Sequence, residues 1–131
     1  MSPNISALIL TLGCIIITLW ARKRIHQSYS KSIWRTTLLL FSFYFLVLTI
    51  VEIRWYYFHE YAASFDLNNN GFIDWRETNS ESQNAVRKII DDAPRNFAFL
   101  TVGVFSFLVS LLYLLIDVVI TFLKIKRTYN T

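Results

Sequence analysis

Three long apolar runs, separated by two polar segments, dominate the 131-residue chain. The runs cover about residues 5–21, 36–58 and 97–123, and the middle of each run carries no charge. A helix of roughly 20 apolar residues spans the hydrocarbon core of a bilayer, which is about 30 Å thick. The pattern therefore predicts an all-α membrane protein with three transmembrane helices in a single membrane domain.

The charge pattern around the first run is typical of a retained helix and not of a signal peptide. A signal peptide carries positive charge before its apolar region and a small-residue cleavage site after it. Here the charge follows the run, at Arg22, Lys23 and Arg24, and no such cleavage site follows. We therefore expect residues 5–21 to form the first transmembrane helix.

The two polar segments differ in charge, and this difference predicts an orientation. The connector 22–35 holds five basic residues and no acid, and basic residues also follow the third run, at 124–127. The segment 59–96 instead holds seven of the nine acidic residues. Because basic loops stay on the cytoplasmic side, we expect the connector and the C-terminus to be cytoplasmic. The N-terminus and residues 59–96 are then extracytoplasmic.

The composition excludes several other classes of protein. A hydrophobic fraction of 54% and a mean hydropathy of +0.40 are high for a soluble globule. The net charge of +4 lies beside apolar runs, where it sets topology, so we expect no nucleic-acid partner. The single cysteine, Cys14, excludes an intrachain disulfide. Because no nucleophile motif, phosphate loop or cofactor fingerprint occurs, we expect no enzymatic activity.

Candidate chemistry is concentrated in the twelve residues 66–77, between the second and third runs. Oxygen-bearing side chains occur there at a regular spacing, from Asp66, Asn68, Asn70, Asp74 and Glu77. A hard cation such as Ca²⁺ prefers six to eight oxygen ligands, and Gly71 provides the sharp turn that brings such ligands together. The sequence therefore predicts a calcium site in this loop.

These twelve residues resemble the EF-hand loop, the calcium-binding module of calmodulin and its relatives. The resemblance implies that Asp66, Asn68 and Asn70 bind the ion through their side chains and Phe72 through its backbone carbonyl. It implies that Asp74 contributes the next ligand, often through a water, and that Glu77 closes the site with both carboxylate oxygens. It also implies an entering helix, and the apolar residues Phe58, Tyr61, Ala62 and Phe65 lie on one helical face before the loop. Ile73 lies where EF-hand loops pair through a short β-segment.

The segment departs from the family pattern in three respects. Its side-chain ligands include only three carboxylates, which predicts modest affinity for Ca²⁺. The apolar residues expected of an exiting helix resume only at Val86, Ile89 and Ile90, on one face of a short helix that Pro94 ends. EF-hands usually occur in pairs, and this chain has one such loop. The alternative interpretation is a surface turn rich in Asn and Gly that matches the pattern by chance.

Two acidic residues, Glu52 and Asp117, lie within the predicted spans. Ionisable residues in spans are costly and therefore mark candidate functional positions. Both residues lie near the membrane interfaces, where the cost is lower, and at opposite ends of the bilayer. We expect Glu52 to contact a polar group of a neighbouring helix and Asp117 to pair with a basic residue of the connector.

Three functions remain open from the sequence. The first is an accessory or assembly subunit of a larger membrane complex, with Ca²⁺ as a structural staple. Its partners are the lipid bilayer and either other membrane subunits or a second copy of the chain. The second is a calcium sensor that regulates a partner channel or transporter. The third is a homo-oligomeric channel or transport unit in which Glu52 or Asp117 lines a pathway.

Overall fold

The computed structural model describes residues 2–129, and all regular secondary structure within them is helical. The four α-helices are α1 (Pro3–Ala21), α2 (Ser28–Ala63), α3 (Ser80–Asp91) and α4 (Ala98–Tyr129). Short 3₁₀ turns cover Arg22–Arg24 and Ala93–Phe97. Three of the helices, α1, α2 and α4, are long and apolar enough to cross a membrane, which confirms the predicted number of spans.

The helix α2 is much longer than the span predicted within it. Its 36 residues measure about 54 Å along the axis, well beyond the hydrocarbon thickness. It begins at Ser28, inside the predicted connector 22–35, so the second half of that connector is helical. No Gly or Pro occurs between residues 28 and 36 to stop the helix from starting early.

Helix α2 lies at the centre of the bundle, against both α1 and α4, whereas α1 and α4 make few contacts with each other. Its fully buried Leu48 packs with Ala98 and Val102 of α4. Small residues allow the close approach of the helices: Ser106 and Ser110 are buried, and a Cβ at Gly103 would lie 3.5 Å from Tyr44 Cε2. Most large apolar side chains of the spans point away from this narrow core.

Beyond the membrane spans, α3 packs on the projecting end of α2. Asn79 caps α3: its side chain accepts the N–H of Ser82 at 2.7 Å, and Ser82 Oγ accepts the N–H of Asn79 at 2.8 Å. Ala85 of α3 and Ala62 of α2 are both buried. The helix ends at Asp91, before Pro94, as predicted.

The apolar residues predicted to share one face of α3 lie mostly at the surface. Ile89 is half-buried, but Val86 and Ile90 are exposed, because the inward stripe of the helix passes through Ser82 and Ala85. Ile73 forms no strand, and residues 2–129 contain none. A strand needs a partner for its backbone hydrogen bonds, and this chain offers no second loop to pair with Ile73.

Candidate cation site and the polar clusters of the bundle

The loop 66–77 follows the C-terminal end of α2 directly. The N–H groups of Phe65 and Asp66 donate to the carbonyls of Ala62 and Ala63, each at 3.1 Å, which tightens the last turn of the helix. Gly71 has φ 88°, as the predicted sharp turn requires. Asn69 also has a positive φ, 55°, which the sequence did not indicate. An alanine substitution at Asn69 is therefore strained, although the position contributes no predicted ligand.

The first predicted ligand, Asp66, folds the loop around its own carboxylate. Asp66 Oδ1 accepts the N–H of Asn70 at 3.2 Å, and Asp66 Oδ2 accepts the N–H of Gly71 at 2.7 Å. Asn68 Oδ1 and Asn70 Oδ1 accept further backbone N–H groups, at 3.0 and 2.8 Å. These local side-chain to backbone bonds are typical of Asx turns and hold the loop in a tight curl.

The last predicted ligand, Glu77, joins the two ends of the loop. Its Oε1 accepts the N–H groups of Leu67 and Asn68, at 3.0 and 3.2 Å, and its Oε2 accepts the N–H of Asp74 at 3.1 Å. The Glu77 carboxylate, nine and ten positions after the two N–H groups that donate to its Oε1, thereby closes the curl that Asp66 begins. Both carboxylate oxygens of Glu77 are engaged by backbone N–H groups of the loop, and its role as a closing calcium ligand stays a prediction.

The third carboxylate of the loop, that of Asp74, accepts hydrogen bonds from the side chains of the two predicted asparagine ligands. Asn68 Nδ2 and Asn70 Nδ2 each donate to Asp74 Oδ2 at 3.0 Å. The side chains of all five predicted side-chain ligands thus belong to one hydrogen-bonded network within a twelve-residue loop. The two amide N–H donors satisfy one oxygen of the Asp74 carboxylate.

The loop 66–77 carries the oxygen donors that Ca²⁺ prefers, but its carboxylates are not grouped around a common point. Across residues 2–129, no three His, Cys, Asp or Glu side chains are placed to hold a metal ion. The donors are nevertheless suitable: carboxylate oxygens can accept an N–H and still coordinate, and no described residue donates to the Phe72 carbonyl. Coordination requires Asn68 and Asn70 to rotate their amides, so that oxygen replaces nitrogen beside Asp74.

The same loop carries an apolar patch that the sequence analysis missed. Leu67 is 79% exposed, Phe72 75% and Trp75 80%, although none of them belongs to a membrane span. The loop's polar side chains turn inward to one another, which forces the large side chains between them outward. Their alternation with the ligand positions was visible in the sequence, but their exposure depends on the curl of the loop.

A buried polar cluster at the same end of the bundle joins all three spans, and it centres on Asn4, which is 2% exposed. Asn4 Nδ2 donates to Glu52 Oε1 at 2.7 Å and to the Arg95 carbonyl at 3.1 Å, and Asn4 Oδ1 accepts the N–H of Phe99 at 3.1 Å. Asn4 of α1 therefore caps the first turn of α4. Glu52 contacts a polar group of a neighbouring helix, as expected.

Arginine side chains extend this cluster towards α3. Arg95 Nη1 lies 3.6 Å from Glu52 Oε2, and its guanidinium lies over the Trp55 ring, 3.4 Å from the centroid. Arg54 does not pair with Glu52 but with Asp92, at the end of α3. The sequence singled out Glu52 but not Asn4 or Arg95, because neither has a neighbour in sequence that indicates its partner.

A second polar cluster lies at the opposite end of the bundle. Arg35 Nη1 donates to Asp117 Oδ1 at 3.3 Å, so Asp117 pairs with a basic residue of the predicted connector, as expected. One turn away, the hydroxyls of Ser32 and Thr121 lie 3.1 Å apart. Because each acid is engaged at its own end, Glu52 and Asp117 do not form one site.

The chain matches no protein-family model, no curated protein and no solved structure, so similarity assigns it neither a family nor a function. The loop, its apolar patch and the two polar clusters are therefore the observations on which a function is proposed.

Proposed function

We propose that this protein binds Ca²⁺ in the loop 66–77 and serves as a small accessory or assembly subunit of a larger membrane complex. The observation that carries the proposal is the closed network of Asp66, Asn68, Asn70, Asp74 and Glu77. A cation site needs its oxygens gathered around one point, and the network supports this proposal by bringing the five side chains into one twelve-residue curl. Ca²⁺ is the cation of choice because the donors are all oxygens and the loop is exposed and adaptable.

The exposed side chains of the loop support the assembly role. Leu67, Phe72 and Trp75 place apolar and aromatic surface well outside the spans, and such surface is enriched at protein interfaces. EF-hands usually pair, and this loop has no second loop in its chain. A partner subunit or a second copy supplies the missing contact in this proposal, and the ion fixes the shape of the loop that is recognised.

The continuity of α2 favours a sensor as the second candidate. One helix runs from the basic end of the bundle through the membrane span to Ala63, three residues before the first ligand. Ordering the loop by Ca²⁺ therefore fixes the end of a transmembrane helix without any intervening hinge. The two roles differ in affinity: extracellular sites bind at roughly 10⁻⁴ to 10⁻³ M, and sensor sites at roughly 10⁻⁷ to 10⁻⁵ M.

Calorimetric titration of the full-length protein in nanodiscs, first with Ca²⁺ and then with Mg²⁺ as competitor, tests the proposal. With three carboxylates we expect one Ca²⁺ per chain and a Kd in the range of roughly 10⁻⁴ to 10⁻³ M. Mg²⁺ should compete weakly, because it demands a smaller octahedral shell. A micromolar Kd would select the sensor, and absence of binding heat at millimolar Ca²⁺ would refute both roles.

Two substitutions test whether the heat of Ca²⁺ binding arises from this loop. Glu77→Gln removes the closing bidentate carboxylate and should weaken Ca²⁺ binding by about tenfold or more. Asn69→Gly is the matched control, because glycine keeps the positive φ of the site without strain and removes no ligand. The melting temperature in EDTA, measured for both variants, shows whether the metal-free loop has changed. Equal weakening by the two substitutions would show that the heat arises elsewhere.

A further inference from the structure

A positively charged cleft lies at the end of the bundle opposite the loop, and nothing in the proposed function uses it. A cavity of about 310 Å³ is lined by Arg22, Ile25, Lys31, Trp34 and Arg35. A second cavity, of about 150 Å³, is lined by Ser28, Lys31, Arg35, Thr121, Lys124 and Ile125. The two cavities adjoin, because Lys31 and Arg35 line both of them. Together they form a basic cleft between the Arg22–Arg24 turn, the start of α2 and the end of α4.

Most of the positive charge of this basic cleft is unpaired. Four cationic side chains line it, and within residues 2–129 only Arg35 has a carboxylate partner, Asp117. Lys31 and Lys124 make no ion pair with any residue that the structure describes, and Arg22 lies over the Trp34 ring, 5.6 Å from the centroid. Arg35 uses one of its five N–H donors on Asp117 and keeps the others for a ligand. Like charges gathered in this way repel one another unless an anion lies among them.

The backbone adds to the positive potential of the cleft. Ser28 begins α2, and its cap residue Gln27 makes no side-chain hydrogen bond to the first turn. The first N–H groups of this 36-residue helix therefore receive no side-chain cap, and Ser28, its first residue, lines the second cavity. The hydroxyl-bearing residues Ser28 and Thr121 also line that cavity, and the Thr121 hydroxyl lies 3.1 Å from that of Ser32. Lysines, an arginine fork, helix N–H groups and hydroxyls together form the donor set that phosphate oxygens prefer.

The cleft lies beside two tryptophans at the ends of apolar helices. Trp34 donates its Nε1–H to the Thr18 carbonyl at 2.6 Å, and Arg24 lies over the Trp20 ring. Tryptophans held at the ends of apolar helices are typical of the membrane–water interface, which is the depth of lipid head groups. From these observations we propose that the basic cleft binds a phosphate group, of the kind that anionic lipid head groups and soluble phosphate esters share.

Native mass spectrometry of the full-length protein, released from nanodiscs of phosphatidylcholine with one fifth phosphatidylglycerol, tests the proposal. One phosphatidylglycerol per chain should be retained in preference to phosphatidylcholine. The double substitution Lys31→Gln and Lys124→Gln removes two unpaired charges of the cleft and should reduce retention by about thirtyfold. A second arm adds inorganic phosphate to protein in nanodiscs of pure phosphatidylcholine. Phosphate binding that falls in the same double variant would assign the cleft to a soluble phosphate.

The matched control removes two charges from the same end of the bundle but outside the cleft. Lys23→Gln with Lys126→Gln lowers the net charge equally, and neither residue lines the cavities. Retention should then change by less than about twofold, since only long-range attraction is altered. All four lysines are exposed, so both double variants should keep the helix content and melting temperature of the parent. Equal losses in the two double variants, or no preference for anionic lipid or phosphate, would overturn the proposal.

Discussion

Asn4 shows how much of this bundle depends on single polar residues. Its side-chain amide is buried and donates to Glu52 of α2, while its carbonyl oxygen accepts the Phe99 N–H at the start of α4. One residue of α1 thus satisfies a carboxylate and a helix terminus that belong to two other helices. Because Asn4 is 2% exposed, water does not reach these groups to replace a lost partner, so the bonds matter more than they would on a soluble surface.

Asn4→Ala should destabilise the bundle by about 2 kcal/mol, because it leaves the Phe99 N–H and one Glu52 oxygen without a protein partner. Thermal unfolding in detergent, followed by circular dichroism, measures the change. Asn84→Ala is the matched control, since Asn84 is exposed on α3 and should change the free energy of unfolding by less than about 0.5 kcal/mol. An equal effect of both substitutions would show that Asn4 contributes no more than a surface residue.

At the scale of elements, α3 is the part of the fold that depends most on tertiary contacts. It is twelve residues long, which is marginal for an isolated helix in water. Three features hold it: the Asn79–Ser82 cap, the packing of Ala85 on the end of α2, and the pair between Arg54 and Asp92. Because the loop 66–77 joins α2 to α3, this docking also sets the distance that the loop must span.

Ala85→Leu should displace α3 from α2, because Ala85 is 1% exposed and leaves no room for a larger side chain. Overpacking of this kind costs about 1–3 kcal/mol. Hydrogen exchange at the amides of α3 should therefore become faster, whereas exchange within the span of α2 should not. Asn84→Leu makes a similar addition at the exposed neighbouring position. If it accelerated exchange equally, Ala85 would not be the docking contact.

At the scale of the whole molecule, the two ends of the bundle differ in chemistry. The loop end holds the acidic loop and the buried Asn4 cluster, and the opposite end holds the basic cleft. The middle is held by close packing of small residues around α2, with few polar contacts. The positive-inside rule applied to this asymmetry predicts that the basic end faces the cytoplasm and the loop faces outside.

Single-cysteine labelling in sealed cells tests this orientation. In a Cys14→Ala background, a cysteine introduced by Asn84→Cys should react with a membrane-impermeant maleimide before the cells are permeabilised. A cysteine introduced by Gln27→Cys should react only afterwards, because the basic connector is expected on the inner side. Both positions are exposed and uncharged, so neither substitution alters the charge bias. The reverse labelling order would invert the orientation and place the loop in low cytosolic calcium.

Several features were predictable because they depend on local chemistry. Apolar runs long enough to cross a bilayer specify three helices, the Gly71 position specifies a positive φ, and the run before Pro94 specifies a short helix. The pairing of Asp117 with a connector residue was also predictable, because few cations are within its reach. The starts of helices were less predictable: α2 begins at Ser28, since nothing in residues 28–35 opposes helix formation once the bundle is packed.

The sequence by itself determined that the chain is helical, that three helices are long and apolar enough to span a membrane, and that the candidate cation ligands lie in one loop, because these follow from hydrophobicity and residue spacing. Only the tertiary structure decided that Asn4 caps α4, that Leu67, Phe72 and Trp75 point outward, and that Lys31 and Lys124 line one cleft. For the exposed loop residues the physical reason is the hydrogen-bonded curl of the loop, and for Asn4 and the two lysines it is distance along the chain. Contacts between residues some 90 positions apart are set by how the helices pack, and no local pattern encodes that packing.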